Sequence, residues 1–139
     1  MSRRKAREVA VQALFYLEFN ETDPETAITA IIDERADKMS DNAKQYSQLL
    51  VTGTKEHLLA IDGFLAGISN EWKLDRMAAV DRNIARIAVF EMKFGSEQLP
   101  PNVVINEAVE LAKIFGAEDS SRFINGILDS LVKKKQATE

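Results

Sequence analysis

Apolar residues along this chain recur at helical spacing, and the alternation expected of strands is nearly absent. The pattern predicts a first helix from about Arg4 to Phe19, with Val9, Ala13, Tyr16 and Leu17 as its buried stripe and Arg4, Arg7 and Glu8 toward solvent. Asp23 followed by Pro24 is a cap and first-turn pair for a second helix, which turns Ile28, Ile31 and Ile32 inward and stops near Lys38. Ser40 caps a third helix carrying Tyr46, Leu49, Leu50 and Val51; Gly53 is a bend or break, after which helix resumes through Leu58, Leu59, Ile61, Phe64 and Leu65. "GISNEW" is a connector and "KLDRM" a short helical turn. "AVDRNIARIAVFEMKF" is apolar on more than one side, which places that helix at the centre of a bundle.

After the loop "GSEQLPPN", Pro101 opens a helix that buries Val104, Ala108, Leu111, Ala112 and Phe115, with Gly116 as its C-terminal cap. Asp119 or Ser120 caps the last helix, which carries Phe123, Ile124, Ile127, Leu128 and Leu131. Gly126 inside it loses about 1 kcal/mol against alanine, and close approach of a neighbouring helix is the expected offset. These elements give an all-α domain of about seven helices, with no internal repeat.

The 139 residues suit one domain with its own core, and the absence of cysteine excludes a disulfide framework or thiolate metal site. That composition fits a reducing cytoplasm, and no apolar run reaches the roughly 20 residues of a membrane span. The basic start "MSRRKAREVAVQALFYL" reads as structure, not as a signal peptide. The net charge of −4 conceals an asymmetry: residues 1–7 hold four basic and no acidic residues, Lys133, Lys134 and Lys135 add three charges, and residues 8–132 stand at −10. A basic arm on an acidic body attracts a polyanion while the body resists non-specific binding.

Catalytic chemistry is scarce. His57, the only histidine, reads as a surface or boundary residue. Glu107 with Glu110, and Glu118 with Asp119, lack the spacing of a calcium loop or zinc motif and read as solvated faces or caps. There is no glycine-rich phosphate loop and no G-x-S-x-G. No cofactor or metal is expected. Arg3, Arg4, Lys5 and Arg7 cluster at a helix start, where the macrodipole disfavours cations. Either an anion such as a nucleic-acid backbone meets them, or the terminus is frayed and solvated. Phe115 and Phe123 flank an acidic turn beside Arg122: they are core residues, or platforms for stacking single-stranded RNA.

"INEAVELAKIFGAEDSSRFINGILD" resembles the C-terminal signature of the bacterial transcription antitermination factor family NusB. "SRRKAREVAVQALF" is similar to that family's arginine-rich start and "VDRNIARIAVFEM" to its central helix, so the resemblance spans essentially the whole chain. It implies a non-catalytic protein of two packed helical halves, here about 4–69 and 72–132. It further implies binding of boxA single-stranded RNA from ribosomal RNA leaders together with NusE, a small-subunit ribosomal protein, within an RNA polymerase antitermination complex. By the same resemblance Arg3, Arg4, Lys5 and Arg7 are RNA contacts, and Phe115, Asp119 and Phe123 fall on an RNA-facing edge, where Arg122 beside Phe123 fits the chemistry of RNA stacking. Phe15, Asp75 and Asp81 fall at or near the family's NusE-facing and RNA-adjacent surface. Phe15 stands where related members can have tyrosine, and Asp75 and Asp81 where glutamate can occur. Two alternatives stand beside this: a similar module serving ribosomal RNA modification, against which the chain shows no glycine-rich cofactor loop, and a helical homodimer with no nucleic-acid role.

Overall fold

The computed structural model describes residues 2–68 and 74–138; the side chains of Ser2, Asp75 and 134–138 also lie outside the description. Among the described residues there are seven α-helices and no strand: α1 (Ser2–Phe19), α2 (Pro24–Glu34), α3 (Asp41–Glu56), α4 (Leu58–Ala66), α5 (Ala79–Val89), α6 (Pro101–Phe115) and α7 (Ser120–Thr138). A 3-10 turn, Leu74–Arg76, precedes α5, and a π-helical turn, Phe90–Phe94, extends it.

Local chemistry sets the starts. The Asp23 carboxylate accepts from the Thr26 amide at 2.7 Å with Pro24 in the first turn, and Ser40 Oγ accepts from the Ala43 amide at 3.1 Å. α2 ends at Glu34, short of Lys38, because Arg35 takes an extended backbone and pairs with Asp37 and Glu8. The break between α3 and α4 falls at His57 and not at Gly53, which α3 passes straight through.

α5 is central. Asn83, Ile84, Ala85, Ile87, Ala88 and Val89 are all buried, and the helix packs on α1, α4, α6 and α7. α1 packs on α2 and α3, and α6 on α7 as a hairpin. The buried apolar residues of α1 are Ala6, Val9, Ala10, Val11, Ala13 and Leu14; Tyr16 and Leu17 are only half-buried. Gly126 differs from the sequence expectation, since among the described residues nothing lies within 4 Å of where its Cβ would stand.

Candidate nucleic-acid and partner interface

The basic arm is the first two turns of α1, and every cation in it meets a carboxylate from another element. Arg3 Nη2 donates to Glu97 at 2.6 Å, in the loop before α6. Arg4 grips Glu107 of α6 through Nε and Nη2 at 3.2 and 2.8 Å. Lys5 lies 3.2 Å from Asp37. Hydrogen bonding to these cations holds Glu97, Glu107 and Asp37 below the usual carboxylate range, with Arg35 as the larger influence on Asp37. The acids offset the unfavourable placement of cations at a helix start. Arg4 and Lys5 remain substantially exposed and Arg3 partly so, which leaves all three within reach of a phosphate chain.

Arg7 corrects the sequence reading. It is 5% exposed, not solvent-facing. Its guanidinium donates through Nε and Nη2 to Glu91 at 2.9 Å each and through Nη1 to Glu107 at 3.2 Å. The Tyr46 hydroxyl also donates to Glu91. Burial works against the charge of Arg7, but the bonds and charge of Glu91 outweigh it and hold the group above its ordinary value. Burial, and then the bond to Glu91, raise the Tyr46 phenol above its ordinary value. Helical spacing turns the Arg7 side chain toward the π-turn, where Glu91 waits 84 positions away in sequence.

At the hairpin, Phe115 ends α6 and Phe123 lies in the first turn of α7. Both are half-buried and pack against the core, yet neither is sealed. Asp119 and Arg122 are exposed between and beside them. Asp119 holds the N-cap position, its carbonyl accepting from the Phe123 amide at 3.1 Å. The Ser120 hydroxyl turns back instead, accepting from the Ala117 amide at 2.8 Å. Gly116 caps α6 with an extended backbone, and a Cβ there would collide with Ser120. Ile114, 55% exposed beside Phe115, was not singled out from the sequence; its signal is that it falls off the buried stripe of α6. Glu107 precedes Phe115 by eight residues, so the Arg4 anchor lies about 12 Å along α6 from the turn.

A second surface forms where the end of α1 meets the head of α5. Phe15 is 40% exposed, with its ring centroid 4.9 Å from that of Phe19, which is 67% exposed. Glu18 joins the two helices: it accepts from Arg82, and from Asn83 Nδ2 at 2.6 Å. Arg82 also donates to the carbonyls of Leu74 and Met77, fixing the turn before α5. Asp81 sits in the first turn of α5, where a carboxylate suits the dipole, but it is buried and among the described residues its Oδ1 has no hydrogen-bond partner. The side chain of Asp75 lies outside the described residues. Phe19 was missed because it falls at the predicted end of the helix, where periodicity no longer ranks positions. Among the described residues no group of three or more His, Asp or Glu could hold a metal ion, and no helix is long and apolar enough to cross a membrane.

The model of the NusB family matches residues 4–133. The chain belongs to the NusB family. Relatives span nearly the full chain. The transcription antitermination protein NusB of Desulforamulus reducens is 45% identical over 135 residues, covering 97% of this chain and 92% of its own. The NusB of Bdellovibrio bacteriovorus is 42% identical over 132 residues, covering 95% and 96%. Among solved structures, T. maritima NusB superposes with a TM-score of 0.83 at 37% identity, covering 96% of this chain and 92% of its own. A chain from a crystal structure of antitermination factors NusB and NusE in complex with dsRNA gives 0.81 at 26%, covering 96% and 97%. NusB proteins are non-catalytic transcription antitermination factors, and this membership, not any absent motif, makes the chain a binding protein.

Proposed function

We propose that this NusB-family protein binds boxA RNA of ribosomal RNA leaders together with NusE in the cytoplasm, and there supports antitermination by RNA polymerase. The observation that carries the reading is the whole-chain likeness to a NusB crystallised with NusE and dsRNA, joined to a cluster of exposed cations on α1. Arg3, Arg4 and Lys5 contact phosphates, Arg4 and Lys5 exchanging Glu107 and Asp37 for the RNA backbone and Arg3 keeping its bond to Glu97. Arg7 supports them from below, held in its buried pair. Phe115 and Phe123 offer their uncovered edges to bases, with Ile114 and Arg122 beside them and Asp119 at the rim limiting non-specific affinity. Phe15 and Phe19 form the apolar centre of the NusE surface, with Asp81 in the first turn of α5 behind it and Arg82 fixing the turn before that helix.

The test is boxA binding with and without NusE across salt concentrations. Replacing Arg3, Arg4 and Lys5 together by alanine is expected to reduce the log–log salt slope by about 2, since each lost phosphate contact on a single strand removes about 0.7. An unchanged slope removes the arm from the RNA interface. For the partner surface, Phe19→Ser is expected to leave stability within about 0.5 kcal/mol, as exposed substitutions do. It should weaken NusE binding and spare RNA binding; equal NusE affinity in the two proteins refutes that assignment. In the homodimer reading the same faces are covered by a second copy, and RNA addition would then leave the mass seen by light scattering unchanged.

A further inference from the structure

A cleft of about 530 Å³ opens between the start of α1, the side of α3 and the loop before α6. Its apolar floor is Leu49 and Phe90, and Leu49 is 45% exposed on the side of α3 that also carries the exposed Asn42 and Gln45. One wall is Tyr46 with the Arg3 guanidinium 4.5 Å from its ring centroid, the guanidinium being held by Glu97, which also lines the cleft. The amide side chains of Gln45 and Gln98 line the cleft as well. Two irregularities of the backbone shape it. The π-turn supplies Phe90, and Gln98 stands at φ 46°, a left-handed conformation that a side-chain-bearing residue adopts at a cost. Such departures cluster at functional sites.

The geometry points to a pocket for one unpaired RNA base, taken from the strand that the arm tracks; this rests on the RNA-binding reading above. A base needs a flat cationic or aromatic face, an apolar floor and hydrogen-bonding groups at its edge. The Arg3–Tyr46 wall, Leu49 with Phe90, and the two glutamines provide these in turn. Arg3 belongs both to the arm and to the cleft, so a strand that meets the arm passes the opening. An apolar side chain of a protein partner would use the floor, but not the guanidinium face or the amides.

The experiment titrates a boxA single strand in which one nucleotide at a time is made abasic. With the unaltered protein, one position is expected to lose about 5- to 150-fold in affinity, the range of one base stacked on a side chain, and its neighbours much less. Leu49→Trp fills the cleft from an exposed position. It should weaken the intact strand by a similar factor and make that abasic position silent. Gln45→Ala, at an exposed site, runs the same comparison if the tryptophan variant fails to fold, and should shrink the abasic penalty. A penalty of undiminished size in the variants overturns the pocket. So does loss of NusE binding with RNA binding intact, which would assign the cleft to a protein side chain. The arm substitution separates the two levels: if it lowers the salt slope while the abasic scan of the unaltered protein stays flat, RNA binding stands and the base pocket does not. No binding of boxA by the unaltered protein overturns both.

Discussion

Glu91→Ala is expected to destabilise the protein by about 3–5 kcal/mol, the loss typical of a buried ion pair deprived of one partner. Glu91 is 3% exposed and accepts from Arg7 and from the Tyr46 hydroxyl. Its removal leaves the Arg7 guanidinium under the surface with only Glu107, at 3.2 Å. Arginine has no neutral form to retreat to at ordinary pH. The protein must therefore admit water around α1 and the π-turn, or unfold. Glu91→Gln keeps an acceptor of the same shape and should fall between the two. The pair is not thereby a net source of stability, because apolar groups of similar volume often replace buried ions without loss. Arg7→Met with Glu91→Leu and Tyr46→Phe should accordingly recover most of the stability lost by Glu91→Ala. Urea denaturation followed by helical circular dichroism measures all of these; a loss below about 1 kcal/mol for Glu91→Ala would show that the pair is solvated. If the apolar triple variant also retains RNA affinity, Arg7 acts by support and not by contact.

The sequence pattern alone located the helices, because a helix with one apolar stripe records its own period. It also located the starts of α2 and α3, where Asp23 and Ser40 sit next to the amides they cap. What it could not show depends on residues far apart. Arg7 looks like a solvent-facing member of a basic run until Glu91 is folded against it. The cations of the arm leave an external anion and a frayed terminus both open until Glu97, Glu107 and Asp37 are brought to them. The resemblance to NusB supplied the candidate edges, and the structure adds what the motif does not contain: Ile114 exposed beside Phe115, and Phe19 beside Phe15. Phe115 and Phe123 stand between core and surface, since each packs against the core and is still only half-buried.

The glycines were the least legible residues, and one of them carries the last prediction. Gly53 suggested a bend, yet α3 continues through it, and the ring of Phe90 occupies the space where a Cβ would lie. In an exposed helix, glycine to alanine gains about 1 kcal/mol. Here Gly53→Ala is expected to lose about 2–3 kcal/mol, toward the upper end of the range for overpacking a core. The neighbour has little room to give. Phe90 is 3% exposed, its carbonyl accepts from the Gly95 amide at 2.9 Å to close the π-turn, and its ring has that of His57 on one side. Shortening the ring should restore the space. Phe90→Leu alone will destabilise by opening a cavity, but Gly53→Ala with Phe90→Leu will lose less than the two separately, by more than the roughly 0.5 kcal/mol expected of independent sites. Chemical denaturation of the four proteins decides it. A Gly53→Ala protein as stable as the original would mean that α3 and the π-turn can separate freely, and the close approach of Gly53 and Phe90 would not be what sets the path of α3.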